Sequence, residues 1–320
     1  MPLRILMMGT GAFALPVFKA LVESEHEVVG LVTQPDRVGR GHHQHVNPLK
    51  EFAIERGIPV LQPEKVRTEK SLEELRSLNA DLYVVAAYGQ ILTNKLLAIP
   101  RLGAINVHGS ILPKYRGAAP IQYAIWKGEK ESGVSIFQIV RELDAGPVFG
   151  IATTPIQSDE TYGQLHDRLA EFGVGITLDV VNQLDQGIAI SVPQDPSQVT
   201  FSPRIEKEEG LIDWSKSTEE LGWHLRAMQP WPNPFTFLHL AGKPPQRVII
   251  TKLQPYHRDL PFEHLSPGDL LSTPERELLV RTGDGLAKII SLQPAGKRGM
   301  TAADFLLGTT ISPGDKLANA

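Results

Sequence analysis

Two polar side chains, Asn106 and His108, stand two positions apart in an apolar stretch that runs into a proline-containing loop. An apolar run that ends before glycine and proline predicts a buried strand. Residues two apart on a strand point to the same side, so the amide and the imidazole are expected to project together from the strand's end. An amide N–H and an imidazolium are suitable donors for a carbonyl oxygen that gains negative charge. The pair therefore predicts acyl-transfer chemistry.

A third polar residue, Asp144, lies in the turn Leu143-Asp-Ala-Gly-Pro147 between two strand-like runs. Its carboxylate is suited to orienting the histidine or to taking part in proton transfer. Spacing alone leaves a second interpretation open, because Asn-x-His at a strand end is more often a set of satisfied turn groups than a catalytic pair. A site needs several converging polar groups.

Composition limits the possible classes of protein. A chain of 320 residues is long for a single core, which predicts two domains. No apolar run approaches the roughly 20 residues of a membrane helix, and the amino end lacks the pattern of a signal peptide. The chain has no cysteine, which excludes disulfides, thiolate metal ligands and cysteine nucleophiles. These features predict a cytoplasmic enzyme.

The order of elements predicts the fold class. The first half alternates short apolar strands with amphipathic helices, which predicts an α/β domain with a doubly wound, mostly parallel, Rossmann-like sheet. A hairpin-like strand pair and a long helix over residues 161–185 follow. Short strands with Gly and Pro turns then predict a small, OB-like β-barrel. The predicted domains are residues 1–189 and 207–320, joined by a polar, proline-containing linker over residues 190–206.

The amino end carries a competing signal. Gly9-Thr-Gly11-Ala-Phe-Ala14 follows a strand and opens a helix, as in the dinucleotide-binding fingerprint, which would indicate a nicotinamide-dependent oxidoreductase. That fingerprint also needs an acidic residue at the end of the second strand, where it binds the ribose. Thr33 and Gln34 stand there, and Asp36 arrives only after Pro35. A plain tight turn between strand and helix is the simpler interpretation.

The flanking residues decide between these possibilities. The segment from Asn106 to Gln122, followed by Asp144-Ala-Gly146, resembles the folate-dependent formyltransferases. Within that family, the similarity is to the members that act on methionyl initiator tRNA. Further similar stretches follow in the same order over nearly the whole chain: Thr33-Gln-Pro-Asp-Arg37, Gly39-Arg-Gly41, Val85-Ala-Ala-Tyr-Gly89, Pro230-Trp-Pro232 and Ser291-Leu-Gln-Pro-Ala-Gly-Lys297.

The resemblance implies a formyltransferase fold and a reaction. A formyl group would move from 10-formyltetrahydrofolate to the amine of methionine on initiator tRNA, in a monomeric enzyme without a metal. Asn106 and a protonated His108 would hold the oxyanion of the tetrahedral intermediate. Asp144 would position His108 and assist proton removal from the attacking amine.

The resemblance also implies where folate lies, with its pterin near the Asp144 turn. The expected folate contacts are Ser110, Ile111, Leu112, Pro113, Gln90, Ile91 and Leu92. Two departures from the family pattern stand out. Ile111 replaces a leucine, a volume-matched change of little consequence. Ala145 and Pro147 alter the family's Asp-Thr-Gly-Asp turn, which affects how the pterin edge is held.

Two groups of basic residues are expected to contact tRNA. The net charge of the chain is −4, so any such contact must be local. Phosphate attracts basic segments that lack acids. The expected tRNA contacts are Arg37 and Arg40, in a loop without carboxylates, and Lys243, Arg247, Lys297 and Arg298, in the barrel. His42 and His43 stand where the family has lysines, which predicts weaker contact at neutral pH.

Other functions stay open on sequence alone. A formyltransferase acting on an amino-sugar nucleotide would share the three polar residues and a barrel-like second domain. Gly39-Arg-Gly41 and Leu292-Gln-Pro-Ala-Gly-Lys297 favour the tRNA substrate. A non-enzymatic tRNA-binding module would have no use for the three polar residues together.

Overall fold

The computed structural model describes residues 2–36, 47–258, 260 and 262–319. Contacts divide the chain into two compact units, and each contains more than one segment. Unit 1 comprises Met1–Ile121, Glu131–Pro155 and Gln164–Pro203, and unit 2 comprises Gln122–Lys130, Ile156–Gly163 and Arg204–Ala320. The chain therefore crosses between the units several times.

Unit 1 contains a seven-stranded mixed sheet. In chain order its strands are β1 (Arg4–Gly9), β2 (Glu27–Val32), β3 (Val60–Leu61), β4 (Leu82–Ala86), β5 (Ala104–His108), β7 (Glu131–Gln138) and β8 (Val148–Pro155). The spatial order is β3-β2-β1-β4-β5-β7-β8. The first five strands are parallel, and the hairpin β7–β8 adds to β5 in the antiparallel direction. The expected mostly parallel sheet is confirmed.

The central strands β1 and β4 are buried, apart from Arg4 at the start of β1, which indicates that helices cover this sheet. The helices of the first half are α1 (Leu15–Glu23), α2 (Pro48–Glu55), α3 (Glu69–Ser77), α4 (Asn94–Leu97) and α5 (Pro120–Trp126), and the long α6 (Tyr162–Gln186) follows the hairpin. Glycine allows α6 to lie close to the sheet, since a Cβ on Gly173 would meet Val134 at 3.1 Å. None of the helices in the described ranges is long and apolar enough to cross a membrane.

Unit 2 contains an antiparallel, nearly closed barrel, as expected. Its strands are β10 (Phe235–His239), β11 (Gln246–Pro255), β12 (Leu270–Ser272), β13 (Leu278–Arg281), β14 (Leu286–Pro294), β15 (Met300–Thr301) and β16 (Lys316–Ala318). They pair in the order β12-β13-β14-β11-β10-β16, with β15 on β14. A bridge between Asp269 and Lys316 brings the last strand back to the first edge. The helices α7 (Thr218–Ala227) and α8 (Ala302–Leu307) also belong to this unit.

The segment predicted to be a linker makes specific contacts within unit 1. Its short strand β9 (Phe201–Ser202) pairs in parallel with β6 (Arg116–Gly117). Arg116 N–H donates to the Thr200 carbonyl at 2.9 Å, and Ala118 N–H donates to the Ser202 carbonyl at 2.8 Å. Residues up to Pro203 therefore support the loop that follows β5.

Candidate active site

The carboxyl end of β5 carries the Asn106 and His108 pair. The residues between and before them, such as Ile105 and Val107, are buried in the sheet. Asn106 lies beside Val85 of β4 and Phe137 of β7. Among the residues that the structure describes, none forms a hydrogen bond with the Asn106 amide. This half-buried amide keeps its full capacity to donate to a ligand.

His108 is buried, with 5% of its surface exposed. Its Nε2–H donates to the Tyr115 carbonyl at 3.0 Å, and its Nδ1 lies 3.9 Å from Asp144 Oδ2. Burial lowers the pKa of His108, while the Asp144 charge and the Tyr115 carbonyl raise it by less. Burial therefore favours the neutral form of the ring in the free site.

Asp144 is held in an unusual backbone conformation. Its φ of 48° lies in the left-handed region, which non-glycine residues rarely adopt and which Asn and Asp tolerate best. Its Oδ2 accepts a hydrogen bond from Gly117 N–H at 2.8 Å. Gly146 follows where a Cβ would meet the Gln138 carbonyl oxygen at 1.7 Å. The turn thus fixes the carboxylate beside His108 despite Ala145 and Pro147.

Two serine hydroxyls hold the loop after β5, one from the loop itself and one from β7. Ser110 Oγ donates to the Lys114 carbonyl at 2.7 Å, so this hydroxyl is already engaged inside the loop. Ser135 Oγ donates to the Ser110 carbonyl at 2.7 Å and accepts from Leu112 N–H at 3.1 Å. Ser110 and Leu112 are buried, while Ile111 and Pro113 are partly exposed. Among these four predicted folate residues, Ile111 and Pro113 are the ones best placed to contact a ligand through their side chains.

The stretch after β4, residues 90–92, contains the other three predicted folate contacts. Gln90 Oε1 accepts from Val66 N–H at 2.9 Å and Gln90 Nε2 donates to the Pro63 carbonyl at 3.1 Å. The Ile91 side chain is 76% exposed, whereas Leu92 packs against the core. The main-chain groups of residues 90–92 form no hydrogen bond with any described residue. This segment offers free main-chain donors and acceptors beside an exposed apolar side chain.

A separate cleft of about 420 Å³ opens at the carboxyl ends of β1, β2 and β4. It is lined by Thr10, Gly11, Gln34, Pro35, Asp36, Asn47, Pro48, Ala87, Tyr88 and Gly89, and so contains the glycine turn of the competing dinucleotide signal. The position of the ribose-binding acid is taken by Thr33, whose hydroxyl accepts from Asn47 Nδ2 at 2.8 Å. The carboxylate in this lining, Asp36, accepts from Gln62 Nε2 at 2.9 Å and pairs with Lys50, so it is not the free ribose-binding acid that defines a dinucleotide site.

The barrel brings four of the predicted tRNA-contacting cations to one end. Because Val248 pairs with Pro294, the turn before β11 and the turn after β14 lie side by side. Lys243 lies in the first turn, Arg247 is the second residue of β11, and Lys297 and Arg298 occupy the second turn. None of the four forms an ion pair with a described carboxylate, whereas Lys288 binds Glu277 at 2.7 Å. Arg37, Arg40, His42 and His43 lie outside the described residues.

Comparison with known proteins agrees with this arrangement. A formyl transferase family model matches residues 3–181, and a model of the formyl transferase C-terminal domain matches residues 204–310. The chain belongs to the formyl transferase family. Relatives of this formyl transferase include the methionyl-tRNA formyltransferase of Streptococcus sanguinis, which is 44% identical over 317 residues and 98% of both chains. That of Pseudoalteromonas translucida is 40% identical over 98% of this chain and 97% of its own.

Solved structures share the fold of this formyl transferase at low sequence identity. HypX from Aquifex aeolicus, in complex with tetrahydrofolic acid, is 19% identical with a TM-score of 0.61 over 98% of this chain. The match covers 49% of HypX, so the chain spans about half the length of that protein. WlaRD, a sugar 3N-formyl transferase, is 17% identical with a TM-score of 0.67 over 93% of this chain and all of WlaRD. These comparisons do not favour a nicotinamide-dependent oxidoreductase. The protein is a transferase.

Four residues that support the site were not singled out by sequence analysis for this role. They are Arg116, Gly117, Gln194 and Ser202. Gly117 lies in the family-like segment, so its glycine was available as a signal for a special backbone position. Gln194 and Ser202 lie in polar sequence without periodicity, which carries no such signal.

A substitution at Gly117 tests how strongly the fold depends on this support. Its φ is 125°, and a Cβ would lie 2.5 Å from the Ser202 carbonyl oxygen. We expect Gly117→Ala to lower the free energy of unfolding by about 2–3 kcal/mol, because it combines backbone strain with a main-chain clash. The measurement is urea unfolding followed by circular dichroism.

Gly175→Ala is the matched control for that experiment. Gly175 lies within α6, and a Cβ there would have no atom within 4 Å. Alanine is favoured over glycine by about 0.5–1 kcal/mol inside a helix, so this variant should be as stable as the wild type or more so. Equal stability of the two variants would contradict the tight fit at Gly117.

Proposed function

We propose that this protein transfers a formyl group from 10-formyltetrahydrofolate to the α-amine of methionine on initiator tRNA, giving formylmethionyl-tRNA for translation initiation. The observation that carries the proposal is the meeting of the unpartnered Asn106 amide, His108 and Asp144 at one strand end. It occurs in a chain that aligns over nearly its full length with methionyl-tRNA formyltransferases at 40–44% identity.

The first step is attack of the neutral amine on the formyl carbon. The formyl oxygen then gains negative charge, and the amine nitrogen gains positive charge. Asn106 Nδ2–H donates to that oxygen, and it does so without breaking a hydrogen bond to any residue that the structure describes. A donor aimed at charge that exists only in the transition state raises the turnover rate more than the affinity.

The second step is proton movement through His108 and Asp144. His108 Nδ1 carries no proton in the free site, because Nε2–H donates to the Tyr115 carbonyl. The proton released by the amine passes to this pair, and the carboxylate 3.9 Å away stabilises the resulting imidazolium. Collapse of the intermediate breaks the bond between the formyl carbon and the folate nitrogen. That nitrogen takes the proton as it leaves.

The segment after β4 is the proposed pterin subsite. A pterin presents a planar edge of alternating hydrogen-bond donors and acceptors, which main-chain N–H and C=O groups can pair with. The main-chain groups of residues 90–92 form no hydrogen bond with a described residue and so are available for such pairing. Ile91 and Ile111 supply apolar surface. In this proposal, Gln90 acts indirectly, by fixing its own segment to Pro63 and Val66. The tetrahydrofolate-bound state of HypX agrees with a folate donor.

The direct test is transfer of a labelled formyl group. The purified protein is incubated with labelled 10-formyltetrahydrofolate and either methionyl initiator tRNA or an amino-sugar nucleotide. We expect label in tRNA that mild alkali releases as formylmethionine, and no label in the sugar nucleotide. Preferential labelling of the sugar nucleotide would overturn the choice of acceptor and support the alternative substrate. Absence of label from both acceptors would overturn formyl transfer itself.

Salt dependence tests the barrel cations. We expect the KM for methionyl-tRNA to rise with salt concentration while the KM for formyl-folate changes little, because phosphate binding releases counterions. Replacing Lys297 and Arg298 together by alanine should raise the KM for tRNA and lower the log–log salt slope by about 1–2. The rate at saturating tRNA should stay near that of the wild type.

Lys288→Ala serves as the matched control, since that amine is engaged by Glu277 at 2.7 Å. It should leave the salt slope for tRNA unchanged. If the double variant and Lys288→Ala gave the same slope as the wild type, the turn containing Lys297 and Arg298 would not contact tRNA.

A further inference from the structure

We propose that Gln194 is a positioning residue for formyl transfer, which it serves by holding the Asp144 turn in place. This inference rests on the proposed function. Gln194 lies after α6, in the polar stretch whose sequence suggests a linker. Its Nε2 donates to the carbonyls of Asp144 and Gly146 at 2.7 and 2.8 Å. Its side chain is thus hydrogen-bonded to the turn on both sides of Ala145.

The other end of the same amide is also fixed. Gln194 Oε1 accepts from Arg116 Nη2 at 2.8 Å and from Arg116 Nε at 3.1 Å. Arg116 is followed by Gly117, whose N–H donates to the Asp144 carboxylate. Gln194 therefore joins the main chain of the Asp144 turn to the strand that holds the Asp144 side chain. The N–H groups and the oxygen of its amide therefore all form hydrogen bonds with these two elements.

Asp144 needs such support for a physical reason. Its φ of 48° is a conformation that costs free energy for a non-glycine residue and persists only where the surroundings impose it. The gap of 3.9 Å between Asp144 Oδ2 and His108 Nδ1 is longer than a hydrogen bond. At this separation, a displacement of about 1 Å changes the electrostatic interaction between the carboxylate and the imidazole. Shifts of this size can lower a reaction rate on the order of 100-fold.

The same stretch supports His108 from the other side. Ser202 Oγ donates to the Tyr115 carbonyl at 2.9 Å, and that carbonyl is the acceptor for His108 Nε2–H. Tyr115 N–H in turn donates to Thr200 Oγ1 at 2.8 Å. The residues between α6 and Pro203 thus reach both members of the His108–Asp144 pair through the main chain of their loops. Gln194 is the member whose effect on Asp144 can be tested by a nearly isosteric change.

The sharpest variant is Gln194→Glu. It keeps the shape and the contact with Arg116 but replaces the two N–H donors by a carboxylate oxygen that faces two carbonyls. We expect kcat for formyl transfer to fall by roughly 10- to 100-fold, with affinity for formyl-folate within about threefold of the wild type. Gln194→Ala should lose a similar factor. Gln198→Ala is the matched control, because that amide contacts the Asp195 side chain and not the turn, and its kcat should be unchanged.

A double-mutant cycle with Asp144→Asn separates positioning from a general structural role. If Gln194 acts through Asp144, then adding Gln194→Glu to Asp144→Asn should cost less than threefold more in kcat. Additive losses, or an unchanged kcat in Gln194→Glu, would overturn the inference. These outcomes are distinct from failure of the proposed function, in which the wild-type protein itself would not formylate methionyl-tRNA.

Discussion

Asn106→Ala is expected to lower kcat for formyl transfer by about 10²–10³ while leaving the affinity for formyl-folate nearly unchanged. The amide is unpartnered among the described residues, so its removal breaks no hydrogen bond that holds the fold. The loss arises because the formyl oxygen becomes a strong acceptor only as the tetrahedral intermediate forms. Single-turnover kinetics with preloaded formyl-folate measure this step directly.

His108→Ala should lose activity by a similar factor, and its effect on stability must be separated from its effect on catalysis. The Tyr115 carbonyl keeps a donor in this variant, since Ser202 Oγ still reaches it. His26→Ala provides the matched control, because His26 is 6% exposed but lies just before β2, which is three positions from β5 in the sheet. We expect both variants to lose stability and only His108→Ala to lose turnover. Near-normal kcat in folded Asn106→Ala or His108→Ala would remove that residue from the mechanism.

The placement of Asn106 and His108 could be predicted because its causes are local. An apolar run with a period of two determines which side chains share a face, and the glycine and prolines that follow determine where the strand ends. The position of Asp144 in the hairpin turn follows from similar signals, because the strands on either side of it are apolar. The sheet class also follows from the alternation of strands and helices.

The fine geometry of the site depends on contacts that no local pattern records. The Asp144 carboxylate is held by Gly117 at a separation of 27 residues, and its main chain by Gln194 at a separation of 50 residues. The stretch that contains Gln194 resembles a linker because it is polar and irregular. Its polarity instead satisfies main-chain groups of other loops, and a single sequence does not distinguish these two uses of polar residues.

The protonation state of His108 illustrates the same limit. The sequence places an acid near a histidine, which alone would raise the pKa of the imidazole. The structure adds burial, which has the larger effect and lowers the pKa. Ser110 is a further example, since the resemblance makes it an expected folate contact, while its hydroxyl donates to the Lys114 carbonyl in the structure. Burial and internal pairing become known only once the chain is folded.

Asp144→Asn is expected to cause the largest loss, on the order of 10³–10⁴ in kcat, by analogy with other carboxylates that stabilise an imidazolium. Asparagine tolerates the left-handed φ of 48°, and its carbonyl oxygen can still accept from Gly117 N–H, so the turn should keep its shape. What disappears is the negative charge that raises the pKa of His108 against the effect of burial.

The sign of the pH effect follows from that lost charge. Without the carboxylate the pKa of His108 falls further, so an imidazolium forms less readily at any given pH. Because the proposed mechanism uses the neutral ring as the proton acceptor, lowering the pH should not increase the residual activity of Asp144→Asn. Any loss of activity caused by protonation of His108 should begin at a lower pH than in the wild type. Glu142→Gln, an exposed acid in the same turn, should keep the wild-type rate and profile. A pH–rate profile of Asp144→Asn that parallels the wild-type profile would show that the carboxylate does not act through His108.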